Sequence, residues 1–357
     1  MQKYFSSETP QNVDSSAAFE VGTRQKRAKS VHPVFLPFSG CPMHCVYCAQ
    51  DRQTGTDISG GLAPILAETE SSLMALPPCS EGRSRELAFY GGTFTALPAE
   101  ERRACLAMLD RLREAGRVTH ARCSTRPDAL SPAIFDELNA HGIDLIELGI
   151  QSFDSAALAA SRRGYDGGTA LRACRMVQEA GFELGIQLLP GMPGSSPEVF
   201  IKDAEQALAL HPSCLRFYPC LVPAGTVLAR WLEEGRYSPW SLEETVATLG
   251  RALARAWQEK VPVIRLSVAP EPAFDAAVLA GPRHPALGAL IQAEALLVSV
   301  QNAMQKLGRA PQALLLPRSC QGFMYGERAS LKHRWAALGL GPERIFFTDG
   351  EQAELRG

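Results

Sequence analysis

Three cysteines close together form the strongest chemical signal in the sequence. Cys41, Cys45 and Cys48 lie in the segment CPMHCVYC, with three residues between the first two and two residues between the last two. Three thiolates on one short loop can bind three irons of a [4Fe–4S] cluster, which usually takes four cysteine ligands. Because no fourth cysteine lies nearby, the spacing favours a cluster with one iron left open for a substrate or cofactor.

Two other interpretations of the triplet stay open. A structural zinc ion takes four closed ligands, and His44 is the available fourth ligand, although its position between Cys41 and Cys45 works against convergence on one ion. The thiols could also be incidental, since a free cysteine usually behaves as a small buried hydrophobic side chain. That is the interpretation we give to the other seven: Cys79, Cys105, Cys123, Cys174, Cys214, Cys220 and Cys320. Cys214 and Cys220 share strand parity, so a second metal there is a minor alternative.

Composition and charge place the chain among ordinary globular proteins. It has 357 residues, of which 46% are hydrophobic and 21% are charged, and this balance excludes wholesale disorder. A net charge of −2 excludes a generally basic nucleic-acid binder, but it leaves room for a local basic patch. We find no apolar run near the length of about 18 residues that a membrane span needs, and residues 1–7 lack the apolar core of a signal peptide. We therefore expect a cytoplasmic protein without membrane contact.

From residue 32 onward, strand-like and helix-like segments alternate. Three helix starts carry cap signals: Ser131 with Pro132, Ser196 with Pro197, and a capping box from Ser241. Such alternation predicts a parallel sheet, and a barrel fits better than a dinucleotide-binding sheet because no GxGxxG follows the first strand. Active sites of barrels gather at the carboxyl ends of the strands. The predicted strands are 32–38, 86–90, 121–125, 143–150, 182–189, 214–221 and 261–268.

The sequence divides into three parts. Residues 1–31 form a polar tail whose basic cluster of Arg24, Lys26, Arg27 and Lys29 we interpret as a solvated leader rather than a nucleic-acid arm. Residues 32–272 form the barrel. Residues 273–357 form a small extension with one long helix, ended by Gly308, and two further strands around 314–316 and 345–347.

The cysteine loop and the second strand together resemble a known superfamily. The triplet has an aromatic residue, Tyr47, before its third cysteine, and the second strand ends in the segment LAFYGGTFT with Gly91, Gly92 and Thr93. This combination is similar to the radical S-adenosylmethionine (SAM) superfamily. The resemblance implies that Cys41, Cys45 and Cys48 hold a [4Fe–4S] cluster whose open iron binds S-adenosyl-L-methionine. It also implies that Tyr47 and the glycine segment contact that cofactor.

Further motifs narrow the resemblance. They are CSTRPD at 123–128, IELGIQS at 146–152, RRG at 162–164, QLLPGMPG at 187–194 and LRFYP at 215–219, in barrel order, with GPRHP at 281–285. The series is similar to the radical domain of Elongator catalytic subunits, and more closely to their short bacterial relatives. It implies a tRNA substrate. Since the sequence ends at residue 357 with no acetyltransferase domain after the barrel, we expect no acetyl-coenzyme A chemistry.

Four more positions can be compared with the pattern of oxygen-independent coproporphyrinogen oxidase, a relative in the same superfamily; two of them fit it and two differ. Gln151 and Arg163 fit its cofactor-binding glutamine and arginine, and Gln187 stands where that pattern has an acidic residue. Ser124 replaces a glutamate. The resemblance assigns all four to the SAM site.

These observations predict an α/β fold: a partial (β/α)6-type TIM-like barrel with a small C-terminal α/β extension. The predicted function is reductive cleavage of SAM to a 5′-deoxyadenosyl radical, with an external electron donor of the flavodoxin or ferredoxin type. The substrate is tRNA or a small molecule, and a non-catalytic iron–sulfur or RNA-binding protein is the alternative. Arg126 and Asp128 form either a turn with an ion pair or part of the site. Arg216 and Tyr218 share a parity that can face the barrel interior.

Overall fold

The computed structural model describes residues 16–22, 29–36, 40–41, 44–49, 61–268 and 272–357. Arg24, Lys26 and Arg27 of the predicted basic tail lie outside these residues, as do the last two residues of the predicted first strand.

Seven parallel strands form the main sheet, in the order in which they occur along the chain. Tyr90 and Arg216 stand on strands that are four positions apart in this sheet, yet their side chains are hydrogen-bonded. The sheet must therefore curl, and it forms the predicted partial barrel; no pair among the described strands closes it. The strands are β2 Lys29–Phe35, β3 Ser84–Tyr90, β4 His120–Thr125, β5 Leu145–Gln151, β6 Glu183–Leu188, β7 Cys214–Phe217 and β9 Val263–Arg265.

Helices connect these strands, as the alternation predicted. They are α1 Leu62–Met74, α2 Ala99–Glu114, α3 Pro132–Ala140, α4 Ser155–Ala160, α5 Gly167–Glu179, α6 Pro197–Leu208, α7 Val227–Glu233 and α8 Leu242–Gln258. The three predicted cap residues are confirmed: the side chains of Ser131, Ser196 and Ser241 each accept a hydrogen bond from a backbone N–H in the first turn of α3, α6 and α8. Each cap satisfies a donor that the helix itself cannot pair.

A second sheet contains the two ends of the described chain. Its strand order is β1–β13–β11–β12, with β1 Ser16–Glu20 antiparallel to β13 Gln352–Arg356. The other two strands are β11 Ala313–Pro317 and β12 Ile345–Thr348, which match the two strands predicted in the extension. Residues 16–20 differ from the expected solvated tail, because they form an edge strand of this sheet, with Val21 buried behind it. The other domain boundaries stay predictions.

The long helix α10, Leu287–Leu307, packs against α8 and the second sheet. It ends at Gly308, which has a left-handed φ of 69°, as the sequence predicted. Among the described helices it alone has the length and apolar composition to cross a membrane. The sequence did not predict this, because polar residues interrupt the apolar residues of the helix. Its leucines and alanines are largely buried within the protein, which is equally typical of a core helix. The remaining elements are α9 Pro272–Ala277, α11 Lys332–Ala337 and a two-stranded pair of β8 Val222–Pro223 with β10 Val278–Ala280.

Candidate active site at the carboxyl end of the barrel

The cysteine loop follows β2 and is held by backbone hydrogen bonds on two sides. The amide of Val46 donates to the carbonyl of Ser161 at 3.3 Å, and the carbonyl of Val46 accepts from the amide of Leu228 at 2.8 Å. Cys45 is buried, whereas Cys41 and Cys48 are partly exposed. The loop is therefore anchored both to the turn after α4 and to the start of α7.

The three thiols do not converge on a single metal ion. Among the described residues, no group of three or more Cys, His, Asp or Glu side chains lies close enough to hold a metal ion. This finding covers Cys214 and Cys220 as well. The donor chemistry of the triplet suits an iron–sulfur cluster, in which each cysteine binds a different iron and the three sulfurs need not meet at one ion.

The glycine segment after β3 lies against the first cysteine. Gly91 and Gly92 have φ of 89° and 62°, a left-handed conformation that glycine adopts without steric cost. The next residue, Thr93, brings its Oγ1 to 3.2 Å from the sulfur of Cys41. A Cβ on Gly40 would lie 2.6 Å from the Thr93 carbonyl oxygen. The cysteine loop and the glycine turn are thus in direct contact.

Arg163 connects the second cysteine to the barrel. Its Nη1 donates to the sulfur of Cys45 at 3.1 Å, and its Nη2 donates to the carbonyl of Gly149, near the end of β5, at 2.7 Å. The hydroxyl of Tyr165 lies 3.0 Å from Nε of Arg163. Arg163 is 6% exposed, so these contacts satisfy a nearly buried cation.

Two further predicted residues lie beside Arg163. Gln151 adopts φ of 68°, which is unusual for a residue with a side chain, and its amide nitrogen would be 2.9 Å from a Cβ on Gly149. Burial raises the pKa of Tyr47 well above its usual range, while Arg163 opposes that rise. The Tyr47 hydroxyl is buried and has no hydrogen-bond partner among the residues that the structure describes. Since an unsatisfied buried hydroxyl is costly, this atom is a candidate for contact with a ligand.

Arg126 and Asp128 form the ion pair that the sequence allowed. Both carboxylate oxygens accept from the guanidinium, at 2.9 and 2.8 Å. Arg126 also donates to the carbonyl of Arg163 at 2.6 Å, so the pair supports the turn that carries Arg163. A positioning role accounts for these contacts.

Ser124 and Gln187, the last two predicted positions, meet inside the barrel. Nε2 of Gln187 donates to Oγ of Ser124 at 3.1 Å and to Oε2 of Glu147 at 2.8 Å. The structure therefore brings most of the predicted residues into three groups: the glycine turn with Cys41, Arg163 with Cys45 and Gln151, and this interior pair.

Glu147, in the middle of β5, is the feature that sequence reasoning missed. Its carboxylate is fully buried and lies 2.9 Å from Nη1 of Arg122 and 2.7 Å from Nε of Arg216. The Tyr90 hydroxyl donates to it at 3.2 Å. Burial opposes ionisation of Glu147, yet the guanidiniums of Arg216 and Arg122 hold its pKa below the ordinary value. A lone acid in an otherwise apolar strand was the available signal.

Arg216 faces the barrel interior, one of the outcomes that its parity allowed. Its Nη1 donates to the Tyr218 hydroxyl at 3.0 Å. Arg122 also pairs with Glu86 on β3, so the interior holds two carboxylates and two guanidiniums that neutralise one another. This balance suits a shielded polar cavity wall rather than a site for a charged ligand.

The comparisons with known proteins agree with this geometry. The model of the Radical SAM superfamily matches residues 35–207, and the Radical_SAM C-terminal domain matches residues 212–296. The chain belongs to the radical SAM superfamily. It is a radical SAM enzyme, and the matches leave its substrate unnamed.

Two curated relatives carry names connected with tRNA or Elongator. The chain is 31% identical over 187 residues to a tRNA uridine(34) acetyltransferase of Methanocaldococcus infernus, which covers 47% of this chain and 35% of that protein. It is 27% identical over 192 residues to Elongator complex protein 3 of Mus musculus, with the same coverage of both chains. The chain thus spans about a third of the length of these relatives.

A solved structure shares the fold. The archaeal Elp3 of Methanocaldococcus infernus with an N-terminal deletion superimposes with a TM-score of 0.55 at 22% identity. The similarity covers 79% of this chain and 63% of that one. The predicted resemblance to the Elongator radical domain is therefore confirmed at the level of family and fold.

Proposed function

We propose that this protein uses a [4Fe–4S] cluster and SAM to modify RNA, with tRNA as the substrate. The proposal is supported above all by the contacts of the cysteine loop. Cys41 contacts Thr93 of the glycine turn, and Cys45 contacts the buried Arg163. In this superfamily a bound cluster supplies the electron that cleaves SAM into methionine and a 5′-deoxyadenosyl radical.

The chain's own residues fit that pair of cofactors. Cys41, Cys45 and Cys48 would hold three irons of the cluster, one iron for each thiolate. The Gly91–Gly92 backbone, free of side chains, would let the methionine part of SAM approach closely.

The remaining predicted residues are suited to the rest of the cofactor. Arg163 and Gln151 would bind its polar groups, and the buried Tyr47 hydroxyl would gain a hydrogen-bond partner. Ser124 and Gln187 would face the ribose from the barrel wall. The curled sheet would keep water away from the reacting carbon.

The tRNA assignment is supported by the names of the relatives, which the chain matches over only about a third of their length. A small-molecule substrate is the second candidate. It is favoured by the interior wall of Glu147, Arg122 and Arg216, which could surround a compact polar metabolite. The proposal includes an external flavodoxin- or ferredoxin-type reductant and a cytoplasmic location.

The test is an anaerobic assay of the full chain after cluster reconstitution. With dithionite and SAM, we expect 5′-deoxyadenosine to form, and bulk tRNA to increase its rate. Cys45→Ala should abolish the product, whereas Cys79→Ala, outside the loop, should retain it. Cleavage that tRNA leaves unchanged would favour a small-molecule substrate. A loaded cluster with no cleavage at all would favour the non-catalytic alternative.

A further inference from the structure

Two arginines stack on one tryptophan beside the cysteine loop. Trp231 lies on α7, and the guanidinium carbons of Arg162 and Arg236 lie 5.7 and 4.9 Å from its ring centroids. Both distances are within the range of cation–π attraction. We call these three residues the arginine–tryptophan platform. The ring restricts two side chains that would otherwise move freely in water.

The platform is physically continuous with the cysteine loop. Trp231 packs against the small apolar cluster that contains Val46, and Tyr47 packs against the same cluster. The helix that carries Trp231 also donates the Leu228 amide to the Val46 carbonyl. A ligand on the platform would therefore lie next to the candidate cluster site.

The backbone conformation of Arg162 explains how the turn after α4 contributes one arginine to the platform and the next to the cysteine loop. Arg162 has φ of 54°, a left-handed conformation that costs energy for a residue with a side chain. It leaves Arg162 exposed on Trp231, while the next residue, Arg163, reaches inward to the sulfur of Cys45. The strain is thus located where an exposed and a buried arginine must point apart.

The positive charge of the platform is only weakly compensated. Within the described part of the chain, no carboxylate forms an ion pair with Arg162. Arg236 pairs with Glu234 at 2.9 Å, but the two side chains are 60% and 42% exposed, and such surface pairs are weak enough for a competing anion to displace. Arg230, on the same helix as Trp231, is also exposed. The net charge of −2 for the whole chain makes this a local patch rather than a general basic surface.

We propose that the arginine–tryptophan platform binds the phosphate backbone of the RNA substrate next to the cluster. This inference rests on the RNA function proposed above. Planar guanidiniums offer paired donors that match phosphate oxygens, and arginine beside an aromatic ring is a combination that nucleic-acid-binding surfaces use. Phosphate contacts fix the position of a strand without reading its bases. The platform therefore orients RNA, and base selection falls to the barrel opening.

The test measures tRNA binding by the full reconstituted chain as a function of salt. Arg162→Gln combined with Arg236→Gln removes two phosphate contacts, so the negative slope of log K against log salt should become shallower by about 2. The matched control is Arg251→Gln with Arg318→Gln, two exposed arginines on α8 and beyond β11. The control pair should leave the wild-type slope and affinity unchanged.

Trp231→Leu separates the stacking from the charge. It keeps both arginines, so we expect weaker tRNA binding with a nearly unchanged salt slope. The iron content of each reconstituted variant, measured without SAM, checks that the cysteine loop still binds the cluster.

The outcomes distinguish the platform from the RNA function itself. If wild-type protein binds tRNA and the double arginine variant binds with the same slope, the platform proposal is overturned and the RNA function stands. If wild-type protein does not bind tRNA, both fail. If tRNA binding is unchanged but a flavodoxin-type protein reduces the cluster more slowly only in the platform variant, the platform proposal is overturned. The platform would then bind an acidic electron-donor protein instead of RNA.

Discussion

Neighbouring residues of the same type can have different roles, as Arg162 and Arg163 do. Arg162 is exposed and stacks on Trp231, whereas Arg163 is buried and donates to Cys45 and Gly149. The resemblance predicted a role for Arg163 from its distance to Gln151 in the sequence. It could not assign Arg162, because the direction of that side chain depends on the left-handed turn and on α7.

At this scale the cysteine triplet yields the first prediction. Anaerobically reconstituted protein should hold about four irons per chain, and changing Cys41, Cys45 and Cys48 together to Ala should remove the iron and the brown absorbance. Iron analysis and visible spectra measure both. Cys79→Ala, the control, should keep full iron content. Iron that survives the triple change would show that the cluster lies elsewhere.

Gly92→Val is the second prediction. The φ of 62° at Gly92 is unfavourable by about 1–2 kcal/mol for a residue with a side chain. The valine side chain would also occupy the space in which the methionine part of SAM is proposed to approach the protein backbone. We expect SAM binding and cleavage to weaken at least about tenfold, since 1.4 kcal/mol is a factor of ten, while the iron content stays normal. Gly181→Val is a matched control, because Gly181 also has positive φ but open space around it. Normal SAM cleavage by Gly92→Val would reject the binding role.

Among the elements, the strands β3 to β7 turn a set of polar side chains toward one another. Parallel pairing brings Glu147 of β5 beside Gly185 of β6, and the absent side chain of Gly185 leaves room for it: a Cβ there would lie 2.9 Å from Glu147 Cγ. Arg122 and Arg216 then reach the same carboxylate from strands on either side. The stability of the barrel wall therefore depends on a buried charge balance.

Glu147→Gln tests this balance. Removing the carboxylate leaves Arg216 buried without its main partner, and breaking such a pair typically destabilises by about 3–5 kcal/mol. Urea unfolding measures the loss. Glu183→Gln, at the half-exposed start of β6, should change the free energy of unfolding by less than about 0.5 kcal/mol. Combining Glu147→Gln with Arg216→Met should recover part of the lost stability. If Glu147→Gln alone is as stable as wild type, the buried charge balance does not stabilise the barrel wall.

Glu86 predicts a pH dependence for the same wall. Burial opposes ionisation, but hydrogen bonds from His120 and Arg122 lower the pKa of Glu86 from 4.5 to about 2. The native state therefore binds fewer protons than the unfolded state between these values. The stabilisation is complete above about pH 4.5 and is lost as the pH falls toward 2, by up to about 3 kcal/mol. Unfolding free energies measured from pH 6 to pH 3 should fall less steeply in Glu86→Gln than in wild type.

At the scale of the whole molecule, the first and last described segments of the chain join in one sheet. Ser16 pairs with Arg356 and Glu20 with Gln352, and α10 packs this sheet onto α8 of the barrel. The described residues after β9 thus form α10, most of the second sheet and short helices. They form a structural extension rather than a second barrel-sized unit.

This arrangement supports a prediction about the residues that the structure describes. The chain should cleave SAM but should not bind or hydrolyse acetyl-coenzyme A, because its described residues after β9 form α10, most of the second sheet and short helices. Isothermal titration with acetyl-coenzyme A, with and without SAM, measures binding. Micromolar affinity with release of coenzyme A would overturn the prediction and favour an Elongator-type reaction. 5′-Deoxyadenosine formation without binding would support it.

The sequence by itself determined the order of strands and helices, the starts of α3, α6 and α8, and the cysteine and glycine segments. All of these signals are local: a cap such as Ser131 acts within its own first turn, and the triplet spans one loop. Local spacing can be read without knowing what else lies nearby, and the superfamily followed from it.

Only the tertiary structure decided the barrel wall, the pairing of β1 with β13 and the arginine–tryptophan platform. Glu147 and Arg216 are 69 residues apart, and Glu20 meets Gln352 across 332 residues. Contacts of this kind depend on strand register and side-chain direction. A shift of one residue in register would turn Glu147 to the other face of the sheet. Such contacts are therefore set by the packing of distant segments, which no local pattern of residues specifies.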